Sequence, residues 1–175
     1  NCAILSSKFS ELKIINKDFL KIDLTDFSSD KKIRIIGNIP YNITSEIVFK
    51  LIDNRNIITD AQLMIQNEVA KRLTAAHGSK EYGIPSVFAQ VFSEPKMLFK
   101  VAGSCFFPKP KVDSRIIYFD FSKSFENKLN DVIFFKRFVK TAFSTRRKTL
   151  KNSLCSLNLE LSKADFDFNR RSETL

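Results

Sequence analysis

At 175 residues with 43% hydrophobic side chains, the chain can bury one core of ordinary size plus a small appendage, and it is too apolar for wholesale disorder. Lys and Arg outnumber Asp and Glu by 29 to 19, and the formal charge of +10 with the lone histidine neutral points to a polyanionic partner, nucleic acid above all. Cys2, Cys105 and Cys155 lie too far apart for a disulfide framework or a close metal-ligand pair, no apolar run reaches membrane-spanning length and no signal peptide opens at Asn1, so the chain reads as soluble and cytoplasmic.

Strand-like and helix-like stretches alternate through the first part. Leu12-Lys13-Ile14-Ile15 is a short apolar strand that ends at Asn16-Lys17-Asp18, and Ile33-Arg34-Ile35-Ile36 is a second strand that runs into Gly37-Asn38-Ile39-Pro40-Tyr41. Thr44 or Ser45 then caps a helix whose apolar positions Ile47, Val48, Leu51 and Ile52 recur at helical spacing. Residues 61–65 form a third strand, and a helix from Asn67 to Ala76 leads into a loop holding His77, Gly78 and Gly83. A helix from Pro85 to Phe92 has proline in its first turn, and residues 96–101 and 114–121 are two late strands. Strands alternating with helices predict an α/β layer fold on a mainly parallel sheet.

From Lys123 onward the pattern turns helical and basic. Residues 123–175 hold twelve Lys or Arg against six Asp or Glu, and the stretch from Lys136 to Lys151 carries seven basic residues and no acid. A boundary is placed at 121/122, with an α/β domain before it and a small helical domain after it.

Asn38-Ile39-Pro40-Tyr41 is the most informative motif, because ligands of an open α/β sheet bind beyond the carboxyl ends of its strands. Read alone, the four residues equally suit a plain strand-ending turn. Their company decides. Gly37-Asn38-Ile39-Pro40-Tyr41-Asn42-Ile43 resembles the catalytic loop of the KsgA-type ribosomal RNA adenine dimethyltransferases. In the same order follow residues 66–73, Tyr82-Gly83 with Ser86-Val87, the proline-rich stretch from Phe106 to Ser114, and Phe143-Ser144-Thr145-Arg146-Arg147-Lys148-Thr149-Leu150-Lys151-Asn152-Ser153-Leu154, which is similar to the basic helix of that family's C-terminal domain.

The resemblance implies a Rossmann-like class I methyltransferase sheet. It also implies transfer of methyl groups from S-adenosyl-L-methionine, without a metal, to the exocyclic amines of two adjacent adenosines in small-subunit ribosomal RNA. The partner is then the pre-ribosomal small subunit, approached by a monomer. An adenine amine is a poor nucleophile, because its lone pair is conjugated into the ring. Acceptors for both amine hydrogens, the Asn38 side-chain oxygen and the Ile39 carbonyl held by the fixed Pro40 ring, favour a lone pair aimed at the methyl donor. Tyr41 offers a face on which the extruded base can stack.

By the same resemblance Asp18 and Phe19 hold the adenine of the donor, which Asn38 also contacts, and Phe106 packs against the target base. Phe107 stands at a position usually smaller in that family and suits a core or turn role, so the choice between the two rings stays open. Lys109 and Lys111, beside two prolines, form a rigid basic lip for phosphate. Arg146, Arg147, Lys148 and Lys151 are the RNA-gripping cations of the helical domain, since no acid near them would make a salt-bridged surface. His77 reads as a surface residue.

Two related classes compete with this reading. Large-subunit dimethyltransferases of the macrolide-resistance type share the Asn38-to-Tyr41 loop but differ at residues 111–114 and 146–150. Non-catalytic RNA-binding relatives are disfavoured by the intact loop. The family's donor site also needs a glycine-rich turn after the first strand, whereas the only glycines are Gly37, Gly78, Gly83 and Gly103. The chain is therefore expected to be truncated at both ends, inactive by itself, and left with a gap beside the strand ending at Asp18.

Overall fold

A computed structural model describes residues 9, 11–28, 30–145 and 147–174. Four strands form one sheet: β1 (Ile33–Asn38), β2 (Ile58–Gln66), β3 (Glu94–Val101) and β4 (Ser114–Asp120), in the spatial order β1-β2-β4-β3. The helices are α1 (Thr44–Asp53), α2 (Asn67–Leu73), α3 (Ile84–Phe92), α4 (Val132–Ala142) and the single turn α5 (Leu150–Ser153).

The alternation of each strand sorts its side chains by face. Ala61, Leu63 and Ile65 of β2 lie opposite Phe119, Ile117 and Arg115 of β4. All but the arginine are buried, at 1% exposure or less. Against them pack Leu51 and Ile52 of α1 and Phe88 and Phe92 of α3, also buried. Ile36, from the alternate set on β1, is 84% exposed. Helix α3 is braced on α2 by small polar groups: the Ser86 hydroxyl donates to the Arg72 carbonyl at 2.5 Å, and the Gln90 amide donates to the Ala75 carbonyl at 2.8 Å.

The mainly parallel sheet expected from sequence needs correction. Only β1 and β2 pair in parallel; β4 is antiparallel to both β2 and β3. Three strands run one way and β4, inserted between two of them, runs the other. A direct return from β3 through a twelve-residue loop imposes this reversal, since no crossover helix separates β3 from β4.

Leu12–Ile15 is not a strand. β1 is the edge of the sheet, so among the described residues that stretch meets no partner ladder, and Leu12 is 58% exposed. Neither Thr44 nor Ser45 caps α1. A 3-10 turn at Tyr41–Ile43 feeds the helix, and the buried Thr44 hydroxyl donates back to the Pro40 carbonyl at 3.4 Å. Helix α2 stops at Leu73, three residues short of the expected end, where the Thr74 hydroxyl donates to the Ala70 carbonyl at 3.1 Å.

The segment after β4 packs back on the sheet domain. Asp131 caps α4 by accepting from the Phe134 amide at 2.9 Å, and Phe135 brings its ring within 6.2 Å of Phe88 and 6.0 Å of Phe92, centre to centre. Beyond α4, Phe143, Leu150 and Leu154 are buried in the same cluster. The basic helix expected over 143–154 is mainly a turn. Burying Phe143 at one end and Leu150 and Leu154 at the other forces the chain to double back, and Thr149 is extended to allow it. The Thr145 and Ser153 hydroxyls, 2.7 Å apart, close that turn.

A second tie joins Arg55, just after α1, to Glu126. The arginine side chain is 11% exposed, lies 4.7 Å above the Phe92 ring, and donates through both Nε and Nη2 to the Glu126 carboxylate. That hydrogen-bonded guanidinium holds the Glu126 carboxyl below the usual carboxylate range. A depressed folded-state pKa stabilises above the unfolded value of about 4.3, and the contribution disappears as the pH falls through the folded value. Glu126→Gln should therefore lower the melting temperature at neutral pH and remove part of the stability loss on acidification. Thermal unfolding followed from neutral to about pH 3 measures both; an unchanged melting temperature with an unchanged acid limb would count against the tie.

Candidate active site

The reversal of β4 builds the site. β1, β2 and β3 all point their carboxyl ends at one rim of the sheet, and because β4 runs the other way its first residue, Ser114, sits at that same rim opposite Gln66. Three loops meet there: residues 39–43 leaving β1, the short step from β2 into α2, and the proline-rich loop between β3 and β4. Such a rim is the usual ligand position of open α/β sheets.

Asn38 is the last residue of β1 and is exposed to solvent, in register with Met64 of β2. Gly37 before it is pressed close: an added Cβ would come within 3.1 Å of side-chain atoms of both Ile39 and Leu63. Pro40 holds an extended conformation, φ −60° and ψ 135°, which turns the chain into the Tyr41 turn. The Tyr41 ring is half-buried, and its hydroxyl lies 2.5 Å from that of Ser114, which is fully buried.

The rim is stitched at further points. The Asn67 amide donates to the Asp113 carbonyl at 3.0 Å, and Arg115 Nε donates to the Asn67 side-chain oxygen at 2.8 Å. Asp113 Oδ1 accepts from the Gly103 amide at 3.0 Å, and Oδ2 lies 2.6 Å from Lys100 Nζ. Hydrogen bonding to Lys100 first, and to the Gly103 amide second, holds the Asp113 carboxyl below its ordinary range. Phe106 is half-buried within this loop, whereas Phe107 has its whole side chain in water. Of the core or turn role suggested for Phe107, the core half is corrected by its exposure, while the residue does lie in a bend of the loop.

Contrary to the expectation from sequence, Asp18 closes no strand. It is an exposed N-cap whose Oδ1 accepts from the Leu20 amide at 3.0 Å, which leaves the other carboxylate oxygen free of that turn. Phe19 is half-buried beside it, with Lys50 Nζ of α1 5.6 Å above its ring. Lys50 also donates to the Leu20 carbonyl at 2.8 Å and to the Ile22 carbonyl, so α1 pins the Asp18 turn through one ammonium.

Of the basic residues, Lys109 and Lys111 are exposed on the proline-rich loop. Arg147 and Lys148 are exposed in the turn between α4 and α5, and Lys151 is exposed on α5. Arg146 lies outside the described residues. Sequence reasoning placed Tyr41 and Ser114 in separate motifs and missed their bond, since no local spacing reports a contact across 73 positions. Lys50 had no signal at all.

The family described as "Ribosomal RNA adenine dimethylase" matches residues 2–167. Ribosomal RNA small subunit methyltransferase A of Chlorobium phaeobacteroides strain DSM 266 is 46% identical over 156 residues, which cover 87% of this chain and 56% of that protein. The protein of the same name from Flavobacterium johnsoniae is 43% identical, over 93% of this chain and 62% of its own length. The chain thus spans between half and two thirds of the curated relatives it matches. Among solved structures, a dimethyladenosine transferase from Plasmodium falciparum superposes with a TM-score of 0.78 at 25% identity, covering 99% of this chain and 71% of that one. The 23S rRNA methyltransferase ErmE shares the fold, with a TM-score of 0.72 at 23% identity over 99% of this chain and 74% of its own.

The Tyr41–Ser114 bond generates a thermodynamic expectation. Tyr41→Phe and Ser114→Ala should each destabilise by about 1 kcal/mol, and the double variant by no more than the larger single loss, because one hydrogen bond can be removed only once. Urea unfolding of the three variants forms the cycle. Additive losses would mean that the two hydroxyls act independently.

Proposed function

The chain belongs to the ribosomal RNA adenine dimethylase family, and from that premise we propose that the protein dimethylates the exocyclic amines of two adjacent adenosines in small-subunit ribosomal RNA, with S-adenosyl-L-methionine as methyl donor. The observation that carries this reading is the convergence at one sheet rim of the Asn38–Tyr41 loop and the Phe106–Ser114 loop, joined through the Tyr41 and Ser114 hydroxyls. The small-subunit choice over the large-subunit class is supported by relatives named for the small subunit at 46% and 43% identity.

The donor supplies an electrophilic methyl group on a sulfonium. Its adenine suits the Asp18 turn, where a solvent-exposed carboxylate oxygen and the half-buried Phe19 ring are held in place by Lys50. The Asn38 side-chain oxygen accepts one hydrogen of the target amine and the Ile39 carbonyl accepts the other. With both hydrogens engaged the nitrogen would be drawn out of conjugation and its lone pair could attack the methyl carbon as the carbon–sulfur bond breaks, the donor leaving as a neutral thioether and the surplus amine proton passing to water. Tyr41 stacks on the extruded base, its ring angle fixed by Ser114, and Phe106 closes the base from the proline-rich loop. Pro40 keeps the Ile39 carbonyl in position.

RNA is gripped away from the reacting amine by Lys109 and Lys111 on the loop and by Arg146, Arg147, Lys148 and Lys151 beyond the boundary at 121/122, where the helical module begins. The protein acts as a monomer in the cytoplasm, where small subunits are assembled. No described helix is long and apolar enough to cross a membrane.

In the full-length protein, Asn38→Ala should lower methyl transfer on the order of a hundredfold or more, the usual loss for one preorganised acceptor, with a smaller effect on donor affinity. Radiolabelled transfer to unmethylated small subunits and calorimetry of donor binding separate the two; full transfer by the variant would refute the assigned role. Arg147→Gln with Lys148→Gln should weaken subunit binding and reduce the slope of log affinity on log salt by roughly 0.7 to 0.9 for each phosphate that is no longer neutralised. Unchanged affinity and slope would make the turn a merely solvated surface.

A further inference from the structure

Single exposed hydrophobic residues are ordinary, and a bare ring on a slack loop would carry no meaning. Phe107 is a different case, because its side chain is 102% exposed on a loop that is tied down on both sides of it. Gly103, at the entry, is buried against Pro110 so tightly that an added Cβ would stand 3.3 Å from the Pro110 carbonyl oxygen. At the exit, Asp113 returns a side-chain bond to the Gly103 amide and offers its carbonyl to Asn67, and Ser114 meets Tyr41. Pro108 and Pro110 fix the backbone on either side of Lys109. The ring is therefore presented to solvent by a constrained backbone.

Its surroundings name the partner. Lys109 and Lys111 are exposed, and among the described residues neither forms an ion pair. The one carboxylate in the loop, Asp113, is engaged by Lys100 and the Gly103 amide, and it attracts Lys109 only through space, without an ion pair. An aromatic face flanked by two exposed cations suits a single strand of nucleic acid: bases stack on the ring, in any sequence, and phosphates meet the ammonium groups. A protein partner would have to supply both an apolar pocket and two acids. RNA supplies the π-face and the charge at every nucleotide.

We propose that Phe107 is a stacking platform for the unpaired base that flanks the target adenosine, with Lys109 and Lys111 taking the phosphates beside it. The proposal rests on the methyltransferase reading and deepens it. A target base swung out of its stack leaves its neighbour without a stacking partner, and the Phe107 ring replaces that partner next to the rim where Asn38 and Tyr41 would act.

The test uses the full-length protein and a short single-stranded oligoribonucleotide carrying two adjacent adenosines, titrated at low salt so that the electrostatic contribution makes binding measurable. Phe107→Ala should weaken binding roughly five- to a hundredfold, the span of one base–aromatic stack, while Phe107→Tyr should stay near the parent. The 175 residues contain no tryptophan, and Phe107→Trp should add a fluorescence component, read as the difference from the parent, that the oligoribonucleotide quenches. Parent-like binding by Phe107→Ala, or an unquenched Trp signal, would overturn the proposal. So would a loss confined to whole small subunits with naked RNA unaffected, which would assign the ring to a ribosomal protein. Methyl transfer by the parent protein distinguishes the failures: if the parent methylates small subunits while the Phe107 results fail, only the platform falls, and if it transfers no methyl group the methyltransferase reading falls.

Discussion

The direction of β4 is the constraint on which the site depends. A strand inserted antiparallel between two that run the other way brings its first residue to the rim where theirs end, so Ser114 lies within reach of Tyr41, 73 positions earlier. Were β4 parallel, Ser114 would start at the opposite rim, and the exit of the proline-rich loop could not be tied to Tyr41. The antiparallel ladder from Asp60–Asp120 to Gln66–Ser114 sets this arrangement residue by residue, because a slip by one position would turn Ile117 and Phe119 out of the core. Burial of those two side chains thus fixes the register that places a polar contact at the rim.

That polar pair in turn joins loops with separate tasks. The 39–43 loop is short and shaped by Pro40, whereas the loop from β3 to β4 is long and would cost entropy to order on its own. Its ordering is shared among Gly103, Asp113, Asn67 and Ser114, none of which would touch a bound base on the proposed reading. Residues that support a site without meeting substrate are hard to see in a sequence. Asp113 shows why: its side chain reaches back ten residues to Gly103 and its carbonyl serves Asn67, and neither bond leaves a local pattern.

What the sequence did reveal follows the same division. Periodicity located β1, β2, α1 and α3 to within a few residues, because their apolar positions repeat with the geometry of the element. The motif order gave Asn38, Tyr41 and the proline-rich loop. The errors fall where a segment's state depends on a distant partner. Leu12–Ile15 has strand composition and no strand to pair with among the described residues. The stretch around Phe143 to Thr149 has helical composition, and burial of Phe143 and Leu150 leaves its described residues outside any helix. The exposure of Phe107 was equally invisible, since an apolar residue beside prolines reads as packing until its surroundings are known.

The helical segment adds a consequence for how RNA would be held. It is tied to the sheet domain through Phe135 on Phe88 and Phe92, through Arg55 on Glu126, and through the Gly78 amide, which donates to the Glu173 carbonyl at 2.7 Å. Ties at such separated points oppose hinge motion, because rotation about any one of them strains the others. On the proposed reading, Arg147 and Lys148 then stand at a fixed offset from Asn38, unlike cations on a flexible tether. A rigid offset does more than raise affinity. Phosphate contacts carry no sequence information, yet at a set distance they admit only RNA whose backbone passes both the basic turn and the rim. Selection of one adenosine pair among many would then come from the shape of the folded RNA, measured between two points, with Asn38 and the aromatic residues testing only the base that arrives.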